Sequence, residues 1–279
     1  MPNAYMGKFL FVDLASGSSW TQDVPEWLQS SLLGGKGFGA KLLTDLASPG
    51  CDPFGPDNPL MVMTGPLTGT SAPSMRGCVV TKSPLTGTFL DSYFGGYFSP
   101  EIKYAGYDGL IVLGQAQEPV YLWIDDDTVE VRSASWFWGE DALEANAAIK
   151  ADLGDETVKI LSIGPAGENR VLYSLISCEY NRQAGRGGAG AVMGSKQLKA
   201  IAVRGSKTVN IHDPEAFRAA VTQANADLEA SEDVQAMVAG GTASAVDFAN
   251  ETGLLPTRNF QDGTFDQASN LADSGQAKH

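Results

Sequence analysis

The sequence is short of cysteine, of positive charge and of long apolar runs, and each shortage excludes something. Its three cysteines, Cys51, Cys78 and Cys178, are isolated and odd in number. They offer neither a disulfide framework nor a C-x-x-C metal site, and no cluster of thiolates for iron and sulfur. Nineteen Lys and Arg stand against 33 Asp and Glu, a formal net charge of −14. That balance repels phosphate backbones and anionic lipid, so nucleic acid and membrane are excluded as main partners, and any bound anion needs a local basic pocket. No stretch approaches the roughly 20 apolar residues that span a bilayer. The N-terminus MPNAYMGKFLFVDLASG lacks the basic start, unbroken apolar core and small-residue cleavage site of a signal peptide. A cytoplasmic protein is the expectation.

What the sequence does have is apolar residues in short runs. Of 279 residues 43% are hydrophobic, enough for a sizeable core in one large domain or two ordinary ones. Up to Arg204 the runs FLFVDL, LMVMTG, CVVTKS, GLIVLG, VYLWID, VEVRSA, VKILSIG, VLYSLIS and AIAVRG are punctuated by glycine and proline and read as strands. Helical spacing is sparse, found mainly at Phe38–Leu46 and Asp141–Leu153, too little for the regular crossovers of a parallel sheet. The pattern predicts an α+β domain with largely antiparallel sheets. After Lys207 the spacing turns helical, with Asp213 placed as a cap. The final stretch NFQDGTFDQASNLADSGQAKH is polar and suggests a chain that stops in mid-domain. The pentapeptide PLTGT occurs at Pro66–Thr70 and again at Pro84–Thr88. It marks either two turns at related places or the ordinary recurrence of Pro and Gly in tight turns.

Charge is unevenly placed. Asn181–Lys207 holds six basic residues and no acid, whereas residues 208–279 hold eleven acids and three bases. The basic segment contains GRGGAG, which fits the dinucleotide fingerprint G-x-G-x-x-G at Gly185, Gly187 and Gly190. The context that fingerprint requires is missing. No strand runs directly into it, the helix it would open is short, and the next strand ends in Arg204 instead of an acid. A P-loop pattern is absent as well. What survives is an anion cradle of unobstructed backbone N–H groups beside the guanidinium groups of Arg182 and Arg186, set against the plain alternative of glycines shaping a turn. Two further segments bear on the choice. GPLTGTSAPSMRG ends in Arg76, and Gly95 and Gly96 are flanked by Tyr93, Phe94, Tyr97 and Phe98. Small residues let a flat group approach and aromatic rings can wall it, although solvated arginines and core aromatics are commoner.

Together MGKFLFVDL, LGGKGFGAKLL, GPLTGTSAPS, TKSPLTG, GGYFSPEIKYAGYDGLIV, WGED, IGPAGEN, AGRGGAGAVMGSKQLKAIAVRGSKTV and LLPTRNFQDGTF resemble the aldehyde:ferredoxin oxidoreductase family of tungsten and molybdenum pterin enzymes. The resemblance runs in order along nearly the whole chain. It implies that residues 1–208 form a metallopterin-binding N-terminal domain, a pair of antiparallel sheets on which two pyranopterin dithiolenes of one tungsten or molybdenum lie, their phosphates joined through magnesium. It assigns Arg76, Gly95, Arg182 and Gly185 to the pterin pair. The magnesium falls to the backbone carbonyls of Tyr93 and Gln183, where the family has asparagine and alanine. Residues 209–279 become the truncated start of a helical domain. The family's [4Fe-4S] cysteines and acid–base residues lie in parts with no counterpart here, so this chain contributes no catalytic residue. The implied activity of the whole enzyme is oxidation of an aldehyde to a carboxylic acid, with electrons passed through the cluster to ferredoxin, and a homodimer is admitted. The alternative is a stand-alone metallopterin-binding module or split subunit without turnover.

Overall fold

Strand β1, Lys8–Asp13, shows how the layers arise. Phe9 and Phe11 pack into one apolar cluster while Leu10 and Val12 pack into another, and all four are buried. A strand whose side chains alternate in direction and are apolar on both faces must be covered on both. The outer cover is α1, Glu26–Leu32, and α2, Lys36–Leu46, which follow β2, Ser18–Asp23. Phe38 of α2 meets the Phe9 ring edge-on at 5.6 Å between centroids, a favourable aromatic geometry. The inner cover is a second sheet.

The computed structural model describes residues 4–179 and 181–272, in two compact units, Met1–Asp213 and Pro214–His279. In the first unit β3 (Leu60–Met63), β4 (Gly77–Lys82), β5 (Phe89–Phe94), α3 (Phe98–Ala105) and β6 (Gly109–Leu113) complete the first sheet, in spatial order β2-β1-β6-β3-β4-β5. Next come β7 (Val120–Asp125), β8 (Thr128–Ser133), α4 (Ala142–Leu153), β9 (Lys159–Ser162) and α5 (Pro165–Glu168). Then β10 (Ile176–Cys178), β11 (Arg182–Ala184), α6 (Ala189–Ser195) and β12 (Leu198–Arg204) complete a second sheet, in order β8-β7-β12-β9-β10-β11. The two orders are the same with every strand advanced by six. Each sheet has one parallel pair, β1 with β6 and β7 with β12, and is otherwise antiparallel. The fold is therefore α+β with two mixed, largely antiparallel sheets, as the apolar runs predict, and it is one topology used twice.

The central core is shared by the inner faces of both sheets and includes Phe98 and Ile102 of α3 and Val192 and Met193 of α6. A separate cluster lies beneath α4, where Tyr121, Ile160, Ala200 and Ala202 form the outer face of the second sheet. Helix α4 is capped by Asp141, whose carboxylate accepts from the N–H groups of Leu143 (2.7 Å) and Glu144 (2.9 Å).

Several expectations need correction. Of the run VLYSLIS only the last two residues enter a strand, Ile176–Cys178, because Arg170 turns with φ +55° and Ser174 N–H closes a turn on the Val171 carbonyl. Residues of β5 and β11 are strands that the apolar runs do not reveal. The two PLTGT turns follow β3 and β4, which are antiparallel neighbours, so they sit at opposite ends of the sheet. Under the repeated topology the counterpart of the first is GPAGE after β9. In the second unit the helical stretch breaks into α7 (Pro214–Ala230), α8 (Glu232–Gly240) and α9 (Ala245–Glu251), with 3-10 turns at Gly241–Ser244 and Ala268–Asn270. Residues 273–279 of the polar final stretch lie outside the described residues.

Candidate functional site

The repeated topology brings two equivalent turns together. Tyr93 and Gly95 lie where β5 leaves the first sheet for α3, and Gln183 and Gly185 lie at the same spacing where β11 leaves the second sheet for α6. A groove of about 680 Å³ forms there, lined by Arg76, Tyr93, Gly95, Arg182 and Gln183 among others. Five of the seven residues expected at a binding site thus share one wall. The exposed residues Gly185 and Arg186 follow immediately along the chain and are not in that wall. A second hollow of about 650 Å³ adjoins it, sharing Met75, Arg76 and Tyr97.

The loop that carries Arg76 is anchored by a buried ion pair. Lys103 and Asp108 meet at 3.0 Å with side chains 0% and 1% exposed. Asp108 also accepts the N–H groups of Met6 (3.1 Å) and Gly7 (2.7 Å), and Lys103 donates to the carbonyls of Ala4 (2.6 Å) and Gly65 (3.4 Å). Further along the loop the Gly69 carbonyl accepts from the Tyr104 hydroxyl at 3.0 Å. These bonds satisfy both buried charges, which otherwise cost several kcal/mol each. Burial still pulls the Lys103 ammonium below its ordinary value, against the opposing effect of Asp108.

Arg76, Arg182 and Arg186 make no ion pair among the described residues, whereas Arg132 and Arg204 each pair with two carboxylates. The Arg182 stem lies over Gly95, where an added Cβ would fall 3.3 Å from its Cδ. Tyr93 stands opposite Cys78 in the β4–β5 pairing, two residues along the strand from Asp91. Burial, then Cys78 and Asp91, raise that phenol above its usual value. The Cys78 thiol is pushed up to about 12, by burial first and by the Asp91 carboxylate second. Cys178 is likewise pushed up to about 12, by burial and then Glu179. Both thiols are inert packing groups at neutral pH.

Two N–H groups of the glycine-rich segment are already engaged within the fold. Arg186 N–H donates to Ser92 Oγ at 3.2 Å and Gly190 N–H to the Ser174 carbonyl at 3.1 Å. The glycines after Gly185 serve close packing. A Cβ at Gly187 would fall 2.2 Å from Leu90 Cδ1, at Gly188 2.0 Å from the Leu172 oxygen, and at Gly190 2.3 Å from the Leu175 oxygen. Only Gly185 has open space on its Cβ side. Sequence reasoning also missed Glu179, Asn181 and Met75, which line the groove. Glu179 and Asn181 precede β11 by a few residues, and nothing in their spacing marks them.

Two sheets of one topology thus meet at one groove, lined by Gly95 from the turn after β5, by Arg76 from the loop before β4 and by Arg182 of β11. The model of the aldehyde ferredoxin oxidoreductase N-terminal domain matches residues 9–205, and that of domains 2 & 3 of the same family matches residues 219–279. The chain belongs to the aldehyde ferredoxin oxidoreductase family. It is 46% identical over 278 residues to the tungsten-containing aldehyde ferredoxin oxidoreductase of Pyrococcus furiosus, covering 97% of this chain and 45% of the relative. To the protein of that description from Thermococcus kodakarensis it is 47% identical over 278 residues, with the same coverage. Among solved structures it is similar to the active site complex BamBC of benzoyl coenzyme A reductase in complex with 1,5 dienoyl-CoA. The TM-score is 0.81 at 40% identity, covering 84% of this chain and 36% of that one. The chain thus spans about 45% of the length of the curated relatives it matches.

Proposed function

We propose that residues 1–208 are the cofactor bed of a tungsten pterin oxidoreductase, and that the whole enzyme oxidises aldehydes to carboxylic acids with ferredoxin as electron acceptor. The observation that carries this reading is that Arg76 and Arg182, neither in an ion pair among the described residues, converge on one groove from two different sheets. A bis-pyranopterin fits what is there. It is two-lobed, and two hollows of about 680 and 650 Å³ meet at Arg76 and Tyr97. It is flat, and Gly95 leaves the floor open where a side chain would press on Arg182. It is strongly anionic, and guanidinium groups donate bidentate hydrogen bonds to phosphate.

In this reading Arg76 and Arg182 hold the phosphates and Gly185 admits them. Arg186 adds positive charge from just beyond the wall. The backbone carbonyls of Tyr93 and Gln183 are hard oxygen ligands of the kind magnesium takes. The bound group supplies the metal-centred redox chemistry, and the [4Fe-4S] cluster is assigned to the longer enzyme. This chain's part is to bind, orient and electrostatically fix the cofactor. By name the relatives act on different substrates, among them an aliphatic sulfonate oxidoreductase subunit of Pyrococcus furiosus at 36% identity, so a shared bed suits the cofactor better than any one substrate.

The test is metal and pterin content. Expressed in a host that makes tungstopterin, the chain retains tungsten and a fluorescent pterin after desalting, and Arg76→Ala with Arg182→Ala loses at least about tenfold of both. Equal tungsten and pterin in the double variant would overturn the assignment.

A further inference from the structure

The groove built for an anion contains one acid among its described lining residues, Glu179. A carboxylate there repels the ligand the arginines attract, so its presence needs another reason. Glu179 occupies the corner between β10 and β11 with φ +56°, a left-handed conformation costly for a residue other than glycine. The corner is held from behind. Its N–H donates to the Ile160 carbonyl at 3.1 Å, and its carbonyl accepts from Asn146 Nδ2 at 3.2 Å. Asn146 is itself fixed by Ser162 Oγ at 2.9 Å. From this clamp the side chain crosses to the other sheet, where Oε1 accepts the Tyr97 N–H at 2.9 Å. Tyr97 is the N-terminal flanking residue of α3 and no side chain of that turn caps the helix. Next to it Gly96, at φ +87°, has its Cβ position 3.3 Å from Glu179 Oε2.

We propose that Glu179 is the positioning residue of the cradle, locking the Gly95–Tyr97 turn of one repeat to the β10–β11 corner of the other and so setting the distance between the two halves. The idea rests on the cradle reading above. It separates two effects of one side chain, since the charge opposes anion binding and the hydrogen bond to Tyr97 supports it.

The experiment compares Glu179→Gln and Glu179→Ala in the full chain, with inorganic pyrophosphate and magnesium as the probe in calorimetry and hydrogen exchange at the Tyr97 amide as a ligand-free readout. Glutamine keeps an acceptor oxygen and removes the charge, so the Gln variant binds pyrophosphate at least as tightly as wild type and keeps the Tyr97 amide protected. Alanine removes the same charge together with the bond, so its affinity falls roughly tenfold below that of the Gln variant and protection is lost. An Ala variant that binds as tightly as the Gln variant overturns the proposal. A wild-type chain that binds no pyrophosphate overturns the cradle reading instead. The Tyr97 amide then still decides the positioning claim, because full protection in the Ala variant refutes it.

Discussion

Gly185 and Gly188 stand three residues apart in one loop and answer to different physics. Gly188 has φ +81° and a Cβ position 2.0 Å from the Leu172 carbonyl oxygen, with backbone on both sides of the clash. Gly185 has no atom within 4 Å of its Cβ position and no left-handed φ. Gly188→Ala is therefore expected to destabilise the chain by about 2–4 kcal/mol through overpacking and strain, whereas Gly185→Ala stays within about 0.5 kcal/mol of wild type. Under the cofactor reading the second variant is the one that loses pterin. Urea unfolding midpoints set beside tungsten content decide the matter, and equal midpoints for the two variants would sink the distinction. The fingerprint G-x-G-x-x-G counts these glycines as equals, which is why the spacing alone misleads. Arg76 and Arg182 stand just outside the quoted motifs, two residues after GPLTGTSAPS and two before AGRGGAG, and that neither forms an ion pair among the described residues is a property of three-dimensional neighbours that no spacing encodes.

At the scale of elements, strands with apolar residues on both faces were legible because both faces are covered, as in AIAV of β12 between the central core and α4. The missed elements fail that rule for identifiable reasons. Strand β5 places exposed Phe89 and Tyr93 and the half-buried Asp91 among buried neighbours, so its pattern mixes charge with apolar residues. Helix α3 hides Glu101 and Lys103 in the interior, and charged residues normally signal a surface. Lys103 is tolerable there because Asp108 and two carbonyls meet it. Asp108→Asn should cost about 3–5 kcal/mol by leaving the ammonium unpaired. Lys103→Met combined with Asp108→Asn should recover a large part of that loss, since no charge is then stranded. A thermodynamic cycle on the two single variants and the double measures it, and strict additivity would show that the pair does not act as a unit. The duplication of sheet topology was illegible for another reason. The repeats share strand order and not sequence, and the one pentapeptide that does recur joins unrelated ends of a single sheet.

The whole molecule carries a net charge of −14 and yet offers an anion groove, and the two act over different distances. Apart from the buried Glu101 and Asp108, the acids of the described residues reach the surface, and eleven acids fall in residues 208–279, while the guanidinium groups act at contact. Salt screens charges separated by more than about 10 Å at 0.1 M and leaves shorter interactions largely intact. Raising ionic strength therefore removes the long-range repulsion first. Binding of magnesium pyrophosphate should hold steady or tighten between about 10 mM and 100 mM salt, when the Debye length falls from about 30 to about 10 Å. A basic nucleic-acid-binding protein does the opposite, since each phosphate contact releases counterions and its affinity falls steeply with salt. Calorimetric titration at the two ionic strengths separates the cases. A steep loss of affinity with salt would mean that a diffuse positive field holds the anion, and the local arginine cradle would have to be abandoned.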